Sequence, residues 1–168
     1  MNEREREATK ARDPAAISIC YRLDWRRATD HDPDRVWQAI TAPDEIEAWM
    51  GYPADVDPRR GGRYHIDFSG TDEGEIDGVI TELEQGRALA YSWGLSIVRW
   101  ELEAAEGGCV YTFCHHGLSR PDARGLGAGW HGFLEQLAHH LAGDGHRTVD
   151  HLPYLAAYEH RIEALDRH

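Results

Sequence analysis

No apolar run in this chain approaches the roughly 20 residues that a membrane-spanning helix needs, which argues against a helical membrane protein. Basic residues are few, nearly all arginine, and scattered among acids. With a net charge of −12 the chain repels phosphate backbones and anionic bilayers, so neither nucleic acid nor membrane is expected as a partner. Cysteine is scarce as well. Three thiols make no disulfide framework, and Cys109 and Cys114, five apart on one expected strand, point to opposite faces. Reduced thiols suit a cytoplasmic protein. The first residues, Met1 to Pro14, lack the apolar stretch of a secretory signal, and the charged segment 1–15 reads as a disordered tail. No His-Glu-x-x-His sequence and no nucleophile elbow occurs, so neither a metal site nor a catalytic nucleophile is expected, and no cofactor is. The letters Gly127-x-Gly129-x-x-Gly132 imitate a dinucleotide fingerprint, but no strand leads into them. These glycines are expected to let a helix approach a sheet closely, or to weaken its first turns so that they can open.

What is present is patterned. Leu126, Trp130, Phe133, Leu134, Leu137 and Leu141 recur at helical spacing and mark one face of a long amphipathic helix from Pro121 to about Ala142. Ahead of it, alternation at period two predicts a first strand with Ile17, Ile19, Tyr21, Leu23 and Trp25 on one face. Further strands are expected at 54–57, 63–68, 75–83, 88–93, 96–103 and 109–116. In the 75–83 strand, Ile76 and Gly78 have the opposite parity to Val79, Thr81 and Leu83, which signals a bulge. Short turns and no helices between these strands imply an antiparallel meander. Asp32-Pro33 starts a helix carrying Val36, Trp37 and Ile40, and Thr41-Ala42-Pro43-Asp44 suggests a second start, with Asp44 as capping acid. That second helix carries Ile46, Trp49 and Met50 and stops at Gly51. A last helix with Leu155, Tyr158, Ile162 and Leu165 on one side follows in residues 143–168, an extension that could pair two copies as a homodimer.

The order of strand, helical elbow, meander and long helix resembles the helix-grip fold of START-like proteins, the SRPBCC superfamily. Within it the chain is most similar to the branch related to the C-terminal domain of the heat-shock-chaperone ATPase activator. The matching segments are Asp32 to Ile40, Trp49, Asp57-Pro58-Arg59-Arg60-Gly61-Gly62-Arg63-Tyr64, Leu89-Ala90-Tyr91-Ser92-Trp93, His116-Gly117-Leu118 and Gly129-Trp130. The resemblance implies an α+β domain over 16–142, with a curved antiparallel sheet of about seven strands around the long helix and a cavity between them. It implies a shape far more than a chemistry.

Large aromatics crowd the inner surface: Tyr64, Phe68, Tyr91, Trp93, Trp100, Tyr111 and Phe113 from the strands, Trp130 with Leu134 from the helix, and Trp37 and Trp49 from the elbow. Such residues serve a packed core, and equally the wall of a pocket for a hydrophobic or aromatic small molecule. His115 shares the parity of Tyr111 and Phe113 and so points inward. With His131, beside Trp130, it could form a pair that orients a polar ligand or moves a proton near neutral pH. Glu73, Glu75 and Asp77 read as a solvated hairpin tip. The expected function is non-covalent ligand binding. The alternatives are a polyketide cyclase or dehydratase using the same cavity, which would need a buried ionisable group, and a co-chaperone module, which would need an exposed apolar patch on the elbow (Trp37, Trp49, Met50) or on the last helix.

Overall fold

The computed structural model describes residues 19–168. The charged segment 1–15, with Ile17, lies outside the described residues.

Strand β1 (Tyr21–Thr29) is followed by helices α1 (Pro33–Thr41) and α2 (Pro43–Met50). Six strands come next: β2 (Ala54–Val56), β3 (Arg63–Phe68), β4 (Gly74–Glu84), β5 (Ala88–Trp93), β6 (Ser96–Ala105) and β7 (Gly108–Leu118). Helices α3 (Arg120–Leu141) and α4 (Leu152–Asp166) end the chain. One seven-stranded sheet runs β1-β7-β6-β5-β4-β3-β2, antiparallel throughout, so the meander closes by bringing β7 back beside β1. This is the helix-grip arrangement, α+β, with α3 lying across the concave face.

The elbow forms for local reasons. Asp32 caps α1 by accepting the Arg35 N–H at 2.9 Å, and Pro33 supplies a fixed φ where no N–H is needed. Pro43 pushes Ala42 into extended backbone (φ −82°, ψ 124°), which ends α1 and starts α2 in one step. Ala42 is the cap of α2 and has no side chain to offer. The Thr41 hydroxyl instead donates back to Trp37 O at 2.7 Å, so the expected capping signal at Thr41 and Asp44 is not used. Gly51 at φ 86° stops α2, as expected. The carbonyls left over at the end of α1 accept from buried aromatics: Trp49 Nε1–H donates to Ala39 O and Tyr64 Oη–H to Ile40 O, each at 2.8 Å.

The sheet bends where β4 changes partners. Its first half pairs with β3 and its second half with β5, and a register shift falls between Ile80 and Glu82. The parity switch lies there and not earlier: Ile76, Gly78 and Ile80 face the core, Val79 is half exposed, and Leu83 returns to the core beyond the bulge. A Cβ on Gly78 would stand 2.3 Å from Ser92 O, so the close approach of β5 requires glycine.

Two further expectations are corrected. Ile19 is exposed and β1 begins only at Tyr21, because residues 19 and 20 precede its pairing with β7. In α4, Ile162 is buried and Tyr158 half-buried, but Leu165 is exposed. Ile162 packs with Leu118 and Ala123 in a second apolar cluster on the chain's own body.

Candidate functional site

A cavity of about 310 Å³ opens at one end of the cleft between sheet and α3. Its aromatic wall is made of Tyr52, Phe68, Trp93, Trp130 and Phe133. The ring centroids run Tyr52–Phe68 4.6 Å, Phe68–Trp93 5.8 Å, Trp93–Trp130 5.1 Å and Trp130–Phe133 5.9 Å, and Phe133 meets Tyr52 edge-on at 6.3 Å. The rings are mutually tilted, so they enclose space rather than stack it shut. Phe68 sits at the end of β3 and Trp93 at the end of β5, while Tyr52 follows the Gly51 turn out of α2.

Helix α3 contributes Gly125, Gly129, Gly132 and Gln136, beside Leu126, Trp130 and Phe133 of its apolar stripe. A Cβ on Gly125 or Gly129 would meet nothing within 4 Å, so these glycines leave volume in the cavity. The close approaches lie elsewhere. At Gly127 a Cβ would stand 2.6 Å from the Tyr158 ring, and at Gly132 it would stand 3.4 Å from Val149 O. The glycines therefore admit α4 and the chain before it, not the sheet.

That chain, residues 143–151, forms a strap over the cavity, to which His146, Thr148, Val149 and His151 add lining. Gln136, buried in α3, is its main tie. The amide nitrogen donates to Trp49 O at 2.8 Å, and the amide oxygen accepts the Val149 N–H at 3.0 Å. The His146 Nδ1 lies 3.0 Å from Ala48 O, anchoring the strap to α2. Thr71 and Glu73, from the β3–β4 turn, complete the rim. Glu73 thus belongs to the cavity mouth, whereas Glu75 and Asp77 stand exposed, Asp77 accepting from Arg63 Nε at 2.7 Å.

Behind the aromatic wall lies a directed chain of hydrogen bonds. Trp130 Nε1–H donates to His115 Nδ1 at 3.0 Å. The Ser96 hydroxyl donates to Trp93 O at 2.7 Å, so it accepts from His115 Nε2, also 2.7 Å away. His115 is fully buried, neutral and held in one tautomer. Burial pushes its pKa down to about 4, with the neighbouring His116 adding to the effect.

Of the residues expected at a site, the structure brings Phe68, Trp93 and Trp130 to the cavity, and His115 to its second layer. Trp37, Trp49, Tyr64, Tyr91, Trp100, Tyr111, Phe113 and Leu134 are buried in the core next to it. The polar tips of several are already used: those of Trp49 and Tyr64 on α1, and Trp100 Nε1–H on Tyr91 Oη at 3.3 Å. His131 does not join His115. It turns toward α4, stacking on Tyr154 at 3.9 Å, with Nδ1 3.0 Å from Tyr158 Oη, and it lines a separate groove between β1 and α4. Tyr52, Gln136, Glu73 and the strap were not anticipated. Gln136 had one available signal: it falls three residues after Phe133, a polar side chain beside the apolar stripe. Among the described residues no three His, Cys, Asp or Glu side chains converge as a metal site, and no helix is long and apolar enough to cross a membrane.

The architecture recurs in known structures. Protein EF2215 of Enterococcus faecalis, described as a conserved protein of unknown function, matches with a TM-score of 0.75 at 17% identity over 95% of each chain. That share reaches past residue 142 and likens the fold alone. CalU16 from Micromonospora echinospora gives a TM-score of 0.64 at 25% identity, over 86% of this chain and 84% of its own. MLL2253 from Mesorhizobium loti gives 0.63 at 26% identity, over 74% of this chain and 98% of its own. No curated protein matches the chain. Residues 30–142, well over half of the sequence, match the family described as Activator of Hsp90 ATPase homolog 1-like protein, and the chain belongs to that family.

Proposed function

We propose that the protein binds a hydrophobic or aromatic small molecule, without covalent chemistry, in the cavity beneath the strap. The observation that carries this reading is the unfilled space of about 310 Å³ between five aromatic rings, kept open by Gly125 and Gly129. That volume is at the small end of the range for ligand pockets, roughly 300–1,000 Å³, and the lining has their usual composition of apolar walls with a few polar groups. Binding is driven by burial of apolar surface, and Gln136, Thr71 and Glu73, with His146, Thr148 and His151 of the strap, are the polar groups available to orient the ligand.

The cyclase or dehydratase alternative called for a buried ionisable group, and His115 is one. Both of its ring nitrogens are taken by Trp130 and Ser96, so it supports the wall and is not placed to move a proton on a ligand. The co-chaperone alternative called for an apolar patch on the elbow or on the last helix: Trp37, Trp49 and Met50 are buried, and α4 exposes Leu152 and Leu165 singly, at its opposite ends. Native mass spectrometry of freshly purified protein tests the favoured reading. A non-covalent small-molecule adduct, lost on denaturation and absent from a Gly129→Leu variant that fills the cavity, is the expected result. An adduct that survives in Gly129→Leu would place the ligand elsewhere.

A further inference from the structure

The cavity's chemistry goes beyond being apolar. Aromatic rings carry negative potential on their faces, and a cation enclosed by several of them is attracted in a way a neutral molecule of the same shape is not. Here Tyr52, Phe68, Trp93, Trp130 and Phe133 surround one space. No lysine or arginine lines it, and its one carboxylate is Glu73 at the mouth. The Glu73 backbone N–H is held by Thr71 Oγ1 at 3.2 Å, while its carboxylate makes no ion pair among the described residues. The net charge of −12 adds a long-range field of the same sign. An anion would enter against all three influences, and a cation with them.

Resting on the reading of this cavity as a ligand site, we propose that it selects a cation with apolar bulk, an alkyl- or arylammonium, over neutral or anionic molecules of the same shape. The aromatic rings hold the substituents and the charge together, and Glu73 supplies the counter-charge at the rim. Quaternary ammonium suits such a cage better than a primary one, because the three N–H groups of the latter exchange water for aromatic faces that accept hydrogen bonds only weakly.

Three probes of one shape test this: phenyltrimethylammonium, its carbon isostere tert-butylbenzene, and benzenesulfonate. Each is titrated into the full chain and followed through the tryptophan side-chain N–H resonances. Phenyltrimethylammonium is expected to bind about tenfold more tightly than tert-butylbenzene, with benzenesulfonate weakest. In Glu73→Gln, which alters an exposed side chain, that ratio is expected to fall roughly threefold while tert-butylbenzene is unchanged. Gly129→Leu is expected to weaken all three. Equal or tighter binding of tert-butylbenzene overturns selection by charge and leaves apolar binding standing. No binding by any probe overturns both. Binding that ignores Gly129→Leu lies outside the cavity and overturns the assignment of the site.

Discussion

Trp130, on α3, donates its indole N–H to Nδ1 of His115, on β7, at 3.0 Å, and this bond couples the helix to the sheet through a histidine that cannot accept a second proton without breaking it. Protonation would place N–H against N–H. Free histidine titrates near 6.5, and His115 in the folded protein near 4. Between those values the unfolded chain carries a proton that the folded one refuses. Stability therefore rises with pH across that window, is lost as pH falls through it, and changes no further on this account below about 4. The full loss is on the order of 3 kcal/mol. Urea unfolding at intervals from pH 7 to pH 4 should show a steeper decline in midpoint for the native chain than for His115→Asn. Parallel curves would assign the acid sensitivity to other groups.

His115→Asn should itself cost about 1–3 kcal/mol at pH 7, because the Trp130 N–H and the Ser96 hydroxyl lose a partner that both of them reach. The midpoint of chemical unfolding measures this directly.

Gly129→Ala should raise stability by roughly 0.5–1 kcal/mol, since alanine is the better helix former and its methyl group meets no atom. The same methyl occupies cavity space, so ligand affinity should fall as the melting temperature rises. A variant in which both rise would mean that the ligand lies away from α3.

Gly127→Ala, two residues earlier in the same helix, should behave in the opposite sense. Its methyl must displace the Tyr158 ring from 2.6 Å, which outweighs the helix propensity and should cost about 1–3 kcal/mol. Faster hydrogen exchange in α4, with α3 little changed, is the signature of this local loosening.

Gln136→Leu should release the strap, because the Trp49 carbonyl and the Val149 N–H both lose their partner at once. Amide exchange at Val149 should accelerate, with a stability cost of about 1–3 kcal/mol. Protection unchanged at Val149 would show that packing alone holds the strap.

Much of the fold was legible because it depends on local rules. Asp32-Pro33 announces α1, the stripe from Leu126 to Leu141 announces α3, and His115 was expected to point inward from its parity with Phe113. What was not legible depends on meetings across the chain. The capping signal at Thr41 was real in letters, but a proline two residues on gives the capping position to Ala42. The glycines of α3 were expected to face the sheet, because the helix periodicity marks an apolar face and says nothing of α4 approaching another. Tyr52 follows a turn, where no periodicity reveals it, and Gln136 is a polar side chain beside an apolar stripe, whose only signal is its spacing of three from Phe133. The aromatic residues were identified as a set. Tyr64 and Phe68 share one face of β3, and Tyr91 and Trp93 one face of β5; position along the strand puts Phe68 and Trp93 at the cavity end and leaves Tyr64 and Tyr91 in the core.

The strap lies beyond the stretch matched by the family, while most of the aromatic floor lies within it. Floor and roof can therefore diverge independently. On the proposed reading, substitutions at Thr148, Val149 or His151 would change what the cavity admits and leave the sheet and the buried His115 network untouched, whereas His146 is also tied to the elbow through Ala48 O. If the cavity holds a ligand as proposed, a lineage could keep one folding unit and exchange its ligands by rewriting a few residues of connecting chain, so relatives that share the fold over 30–142 need not share a ligand.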